Sequence, residues 1–84
     1  MGTTINFQTI SYTSSADGET VAFIPQVQNN ATRTISIISV TKEVKQLLPT
    51  EFVADTTGGT ITLVNGLTLH NGETLFVLYK NTQS

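Results

Sequence analysis

The chain has 84 residues, which is enough for one hydrophobic core and too few for two, so we predict a single domain over residues 1–84. Charged residues make up 12% of the chain and the net charge is −2, which argues against a nucleic-acid partner because that binding depends on clustered Lys and Arg. Sixteen threonines, six asparagines and six serines stand where charged residues are usual.

The chain contains no cysteine and one histidine, His70. This argues against disulfides, thiolate nucleophiles and Cys-based zinc sites, and we predict no metal and no cofactor. No apolar run approaches the roughly 20 residues of a membrane helix, and no basic-then-apolar signal peptide opens the chain. A domain of this size buries only about 60% of the surface of its unfolded chain, so we expect it to gain stability from an oligomer or a larger assembly.

Short runs of β-branched and aromatic residues predict strands through most of the N-terminal half. These strands span residues 4–12, 20–24 and 33–40, with a turn at 14–18 and a polar loop at 28–32. The apolar residues change parity between Phe7 and Ile10 in the first strand, and between Ile37 and Ile38 in the third. Each change predicts a β-bulge or a bend.

Residues 41–48 fit two structures. Val40, Val44, Leu47 and Leu48 are spaced like one face of a short helix. The alternative is a hairpin that bends near Lys42-Glu43. The shortness of the segment and the proline that follows it favour the hairpin.

The C-terminal half has clearer turn signals. Strands are predicted at residues 52–55, 60–64 and 74–80, with a turn at 56–59. Asn65-Gly66 is the strongest hairpin signal, because a type I′ turn needs positive φ at both central positions. A second Asn-Gly pair follows at Asn71-Gly72.

The last predicted strand is apolar on both faces. Leu75, Val77 and Tyr79 fall on one face, and Phe76 and Leu78 on the other. Such a strand is either central between two layers or covered by a partner. Six or seven short strands with turns every eight to twelve residues predict an all-β sandwich or a small barrel.

Residues 40–80 resemble a module common in bacteriophage tail fibres and other small virion proteins. The resemblance lies in a hairpin ending at Leu47-Leu48-Pro49, a strand Phe52-Val53 followed by Asp55, a strand Gly59-Thr60-Ile61-Thr62-Leu63, a Gly72-Glu73 turn and a closing Val77-Leu78-Tyr79. This chain has Glu51-Phe52 where the module usually has Asp-Tyr, and Lys42-Glu43 where it has a turn glycine. The resemblance implies a small immunoglobulin-like β-sandwich of six to seven short antiparallel strands.

The resemblance also implies a function. We expect a non-enzymatic structural protein of a bacteriophage virion, made in the host cytoplasm, that decorates the capsid, attaches to a fibre or forms a small tail component. Its partners would be other virion proteins and copies of itself, as a homo-oligomer, without nucleic acid or membrane. The alternative is a carbohydrate-binding or adhesion module.

Polar residues that could carry chemistry have a simpler interpretation in each case. His70 lies between two turn dipeptides with no evident Ser or Cys partner, so we predict a surface turn histidine rather than a general base. Asp17, Glu19, Asp55 and Glu73 lie in or beside turns, where carboxylates form turns and solubilise. They do not form the clustered carboxylate loop that calcium requires, and we predict no catalytic, cofactor-binding or metal-binding residues.

Two short motifs and the aromatic residues complete the candidates. Asn30-Ala31-Thr32 matches a glycosylation sequon by chance in a chain rich in Asn and Thr. Gly58-Gly59 lacks the Lys-Ser/Thr that follows the glycines of a phosphate loop.

The aromatic residues are Phe7, Tyr12, Phe23, Phe52, Phe76 and Tyr79. Without a tryptophan, and with four phenylalanines in so small a domain, we predict that they fill the core rather than form a sugar-binding platform.

Overall fold

The computed structural model describes residues 2–84 and contains seven β-strands in that range. The strands are β1 (Thr4–Thr13), β2 (Val21–Phe23), β3 (Arg33–Lys42), β4 (Lys45–Gln46), β5 (Phe52–Asp55), β6 (Thr60–Leu63) and β7 (Thr74–Gln83). A short 3₁₀ helix, Pro25–Val27, follows β2. The described residues contain no helix long and apolar enough to cross a membrane.

The strands form two antiparallel sheets, as the sequence predicts for a β-sandwich. The larger sheet has the order β1-β7-β3-β4, and the smaller sheet has the order β2-β6-β5. Strands β1, β3 and β7 have ten residues each, whereas the strands of the smaller sheet have three or four. The larger sheet therefore extends past the smaller one, and the molecule measures 45 × 21 × 20 Å.

The core lies between the two sheets. Its fully buried apolar residues are Ala22, Ile24, Val27, Ile35, Val40, Leu47, Ile61, Leu63, Leu69, Leu75, Val77 and Tyr79. Strand β7 is central in the larger sheet, and its inward side chains Leu75, Val77 and Tyr79 are buried as predicted. Its other face points away from the smaller sheet, where Phe76 is 41% exposed.

The bulge predicted as one cause of the parity change in the first strand does not form. Strand β1 pairs with β7 in one unbroken register from Thr4 to Thr13. The parity change has another cause: Ile10 and Tyr12 face the core, whereas Ile5 and Phe7 face outward and are 54% and 66% exposed. The apolar pattern thus marks two different faces of one continuous strand.

The predicted parity change in the third strand is confirmed. Ile37 pairs with Tyr79 and Ser39 with Leu78, so Ile38 is the extra residue of a β-bulge. The bulge turns Ile38 outward, where it is 48% exposed.

The hairpin interpretation of residues 41–48 is confirmed. Lys42 pairs with Lys45 across a two-residue turn, and Glu43 adopts a positive φ of 56°. The Glu43 carboxylate accepts a hydrogen bond from the Thr74 backbone N–H at 3.0 Å, which fastens the turn to β7.

The Asn65-Gly66 turn forms, but the hairpin predicted from it does not. Asn65 and Gly66 have φ values of 58° and 80°, and the Leu67 N–H donates to the Val64 carbonyl at 3.3 Å, as expected for a type I′ turn. The chain beyond the turn leaves β6 and forms an isolated bridge between Leu69 and Glu19. The residues of the turn fix the reversal of chain direction, but contacts with distant residues determine which strand the next segment pairs with.

Candidate functional site

The single histidine lies in an exposed loop cluster. The His70 Nδ1 atom is 3.8 Å from the Asp17 carboxylate, and the two side chains are 73% and 79% exposed. Asp17 also accepts a hydrogen bond from the Asn71 N–H at 2.8 Å, and Glu73 accepts one from the His70 N–H at 2.7 Å. These carboxylates hold the loop backbone, as predicted for turn residues, and His70 is a surface turn histidine.

Glu73 also makes a charged contact. The Lys42 Nζ atom lies 3.6 Å from its carboxylate, and both side chains are largely covered. The hydrogen bond from the His70 backbone N–H, with Lys42 nearby, lowers the pKa of Glu73 below its ordinary value. Glu73 therefore remains ionised and links the 70–73 turn to β3.

In the described residues 2–84, no three His, Cys, Asp or Glu side chains converge as metal ligands, and no pocket opens.

Glu19 is the centre of a cluster of hydroxyl groups. Its carboxylate accepts hydrogen bonds from the hydroxyls of Tyr12 at 2.8 Å, Ser14 at 2.8 Å and Ser15 at 3.3 Å. The hydroxyl donors lower the pKa of Glu19. The hydrogen bond to Glu19 raises the pKa of Tyr12, with smaller contributions from burial and from the negative charge of Glu19. Ser14 is only 2% exposed, and the cluster fastens the 14–19 loop to the end of β1.

The sequence indicates Glu19 as a turn residue but not as the acceptor of three hydroxyls. One signal was available: Tyr12 and Ser14 are two residues apart at the end of a strand, where the alternation of side chains directs both to the same side. A carboxylate at the far end of a five-residue turn can return to that face.

Asp55, Asn30 and the Gly58-Gly59 pair lie in turns. The Asp55 carboxylate accepts hydrogen bonds from the backbone N–H groups of Thr57 and Gly58 at 3.0 and 3.1 Å, as predicted for a turn former. The Asn30 side-chain oxygen accepts three hydrogen bonds from Thr32 and Arg33. The sequon asparagine thus shapes the loop before β3.

The prediction that the aromatic residues fill the core is wrong for most of the phenylalanines. Phe7, Phe23 and Phe76 are 66%, 56% and 41% exposed. Phe52 is half-buried at the edge of the core. The tyrosines differ: Tyr79 is buried, and Tyr12 is half-buried with its hydroxyl bound to Glu19.

The exposed phenylalanines belong to apolar patches on the outer faces of the sheets, which are the faces turned away from the core. The outer patch of the larger sheet consists of Ile5, Phe7, Ile38, Phe76 and Leu78. Six threonines, Thr9, Thr13, Thr34, Thr41, Thr74 and Thr82, share this face. The only charged side chain among the paired residues of β1, β7 and β3 on this face is Lys80, opposite Phe7.

The smaller sheet has a similar outer patch. Val21 and Val53 flank Thr62 in one row, and Phe23 and Asp55 flank Thr60 in the next. Val21, Phe23 and Val53 are 51%, 56% and 56% exposed. Both outer faces therefore combine exposed apolar side chains with threonine hydroxyls, a surface type that occurs at protein contacts.

The free edge of β1 is a third uncovered feature. β1 is the first strand of the larger sheet, and within residues 2–84 no strand pairs with its other edge. Where β1 extends past the smaller sheet, its inward side chains Thr4, Asn6 and Gln8 are exposed as well. Both faces and one edge of this half of β1 are thus accessible.

Beside this exposed stretch lies a buried polar residue, Asn81, which is 8% exposed and pairs with Asn6 across the sheet. Its amide nitrogen donates to the Gln8 side-chain oxygen at 3.4 Å, but its side-chain oxygen has no partner. An unpaired buried acceptor costs stability.

No family model matches this chain, and comparisons with curated proteins and with solved structures gave no match either.

Proposed function

We propose that this chain is a non-enzymatic structural subunit of a bacteriophage virion that acts by docking onto other virion proteins. The observation that carries the proposal is the pair of outer apolar patches, which leave Phe7, Phe23 and Phe76 in solvent when the chain is alone. Covering these rings with a partner surface would remove apolar area from water, which favours association.

The chemistry of the patches supports a protein partner. Threonine hydroxyls beside the apolar side chains form hydrogen bonds without the desolvation cost of charges, and charged residues are depleted at the centres of protein interfaces. The Glu19 cluster and the Glu73 contacts hold the loops between the strands that carry the patches.

The bacteriophage assignment depends on the resemblance of residues 40–80 to virion modules. The residues that carry the resemblance lie in the hairpin before Pro49, the strand Phe52–Asp55, the strand Thr60–Leu63 and the closing strand Thr74–Gln83. These elements include strands of both sheets, so the resemblance covers much of the sandwich and not a single loop.

The test is to purify particles of the phage whose genome encodes this chain and to search them for it by quantitative mass spectrometry. We expect a fixed copy number per particle. Phe76→Thr and Phe23→Thr would each weaken a patch, and at least one should remove the chain from particles while leaving it folded in the lysate. Val44→Thr is the matched control, because Val44 is 98% exposed at a hairpin tip outside both patches. Absence of the wild-type chain from intact particles would overturn the proposal.

The second candidate, a carbohydrate-binding or adhesion module, is favoured by the same three exposed rings. Aromatic rings can stack on sugars, and threonines lie next to each ring, as Thr60 does beside Phe23. The tyrosines are less suitable as a platform, because Tyr79 is buried and the hydroxyl of Tyr12 is bound to Glu19. A glycan array probed with the labelled chain distinguishes the two: binding lost in Phe7→Thr, Phe23→Thr or Phe76→Thr would favour the adhesin.

A further inference from the structure

The free edge of β1 lacks every common protection against pairing with another strand. Natural edge strands are protected by charged residues, proline, bulges or short length. Strand β1 is ten residues long, has the sequence TINFQTISYT without charge or proline, and keeps an unbroken register with β7. Such an edge is a template for strand addition.

The backbone groups that face this edge can be assigned. The Ser14 N–H donates to the Glu73 carbonyl at 2.8 Å, and the hydroxyls of Thr13 and Thr74 approach to 3.1 Å as a directly opposed pair. Since hydrogen-bonding direction alternates along an antiparallel strand, even-numbered residues of β1 bond to β7. The N–H and C=O groups of odd-numbered residues, among them Ile5 and Phe7, therefore point to the open edge.

The side chains along this stretch are symmetric about Asn6. Thr4 and Gln8 are polar on the inward side, and Ile5 and Phe7 are apolar on the outward side. We propose that two copies of this chain pair edge to edge through β1, antiparallel and with Asn6 of one copy opposite Asn6 of the other. The two four-stranded sheets then join into one eight-stranded sheet.

This register satisfies the backbone and both faces at once. Ile5 of each copy lies opposite Phe7 of the other, and because both are odd-numbered they exchange both backbone hydrogen bonds. The four apolar side chains meet on the outer face, where they are 54% and 66% exposed in a single copy. On the other face Thr4 lies opposite Gln8, with the two Asn6 side chains between them. A shift by one residue would place apolar side chains opposite polar ones.

A second copy is the occupant that this edge fits best. A twofold axis through Asn6 makes the same patch complementary to itself, and the absence of charge from β1 removes the repulsion that like charges would cause between identical strands. The contact is one strand and two apolar side chains per copy, at the small end of specific interfaces. The pairing therefore calls for measurement up to high protein concentration, and it holds whether or not the chain is a virion component.

The first test is sedimentation equilibrium of the purified chain over a concentration series up to about 1 mM, the weak end of measurable association. We expect a monomer–dimer equilibrium, and Phe7→Lys should weaken it at least tenfold. Phe23→Lys is the matched control, because Phe23 is similarly exposed on the other sheet, and it should leave the equilibrium unchanged. Far-ultraviolet circular dichroism confirms that both variants fold. A wild-type chain that stays monomeric throughout, or a dimer lost in Phe23→Lys but not in Phe7→Lys, would overturn the proposal.

The second test determines the register of the pairing by disulfide cross-linking of single-cysteine variants, since the chain contains no cysteine. In the proposed pairing only residue 6 faces its own copy, as a non-hydrogen-bonded pair with Cα atoms about 4.5 Å apart, which a disulfide can span. Asn6→Cys should therefore form a covalent dimer under mild oxidation. Gln8→Cys alone should not, but it should cross-link to Thr4→Cys when the two variants are mixed. Equal self-cross-linking of Asn6→Cys and Gln8→Cys would refute this register.

Discussion

The hydroxyl of Tyr12, at the end of β1, donates a 2.8 Å hydrogen bond to the carboxylate of Glu19 on the far side of the 14–18 turn. Ser14 donates to the same carboxylate from a nearly buried position. The contact holds the loop against the end of the larger sheet and leads it toward β2. The connection from the larger sheet to the smaller one is thus held at this corner by side chains as well as by backbone.

Ser14→Ala should destabilise the fold by about 1–2 kcal/mol, because it removes a buried hydrogen-bond donor to Glu19 and leaves the cluster partly unpaired. Ser15→Ala is the matched control: Ser15 is exposed and its contact is longer, at 3.3 Å, so the change should stay within about 0.5 kcal/mol. Urea denaturation measures both. Equal midpoints for the two variants would show that the cluster does not support the loop.

Stability should decrease in acid, and Glu19 should account for part of the decrease. The hydroxyl donors lower the pKa of Glu19 in the folded chain, so the unfolded chain binds more protons over this range and stability rises with pH. The contribution is complete above the unfolded pKa of about 4.3 and is lost as pH falls through the lowered folded value. Glu19→Gln should flatten this part of the pH profile of urea midpoints.

Glu73, whose pKa is also lowered, should account for part of the remaining slope. Glu19→Gln combined with Glu73→Gln is therefore expected to give a flatter profile than either single variant. A profile in Glu19→Gln parallel to that of the wild type would contradict the role assigned to the hydroxyl cluster.

Features set by neighbouring residues could be predicted from the sequence. The extra residue at Ile38, the turn at Glu43 and the positive φ at Asn65 and Gly66 all follow from side-chain alternation or turn chemistry. The two-faced strand β7 was also recognisable, since its apolar residues occupy both parities. These features depend on a few adjacent residues and change little with the rest of the fold.

Features set by the distant part of the chain could not be predicted. Phe7 and Phe23 point outward because the opposing sheet covers the other face of each strand, the face of Ile10 and Ala22, and a local pattern does not show which face is covered. The three- and four-residue strands of the smaller sheet also leave part of the ten-residue β1 without an opposing sheet. The parity change in β1 suggested a bulge because local pattern alone does not show that half of the strand has no opposing sheet. The three hydroxyl donors of Glu19 were missed because they meet only when the 14–18 turn closes.

The two faces of β7 should respond differently to truncation. Leu75 is fully buried, so Leu75→Ala should cost about 2–5 kcal/mol through lost burial and the cavity that remains. Its neighbour Phe76 points outward, and Phe76→Thr keeps a residue with high strand propensity, so the cost should remain below about 1 kcal/mol. Thermal unfolding monitored by circular dichroism compares them. A similar loss in both variants would mean that the outer face is covered in solution.

Asn81→Val should leave stability unchanged or raise it by about 1 kcal/mol, because it replaces an unpaired buried acceptor with an apolar group suited to a strand. Asn29→Val is the contrasting control. The side-chain oxygen of Asn29 accepts from the Ile35 N–H at 2.7 Å, and its nitrogen donates to Thr56, so its loss should cost about 1–3 kcal/mol. A decrease in melting temperature for Asn81→Val as large as that for Asn29→Val would show that the Asn81 oxygen has a partner in solution.

A comparison of Gly59→Ala with Gly66→Ala distinguishes the cost of backbone strain from the cost of steric crowding. Both adopt positive φ, 73° and 80°, so alanine at either position is strained by about 1–2 kcal/mol. At Gly66 an added Cβ meets nothing within 4 Å, whereas at Gly59 it would lie 3.1 Å from the Gln28 Cβ and 3.3 Å from the Ile24 carbonyl oxygen. Gly59→Ala should therefore have the lower urea midpoint. Equal midpoints would mean that the turn after β5 moves away from Ile24 at little cost.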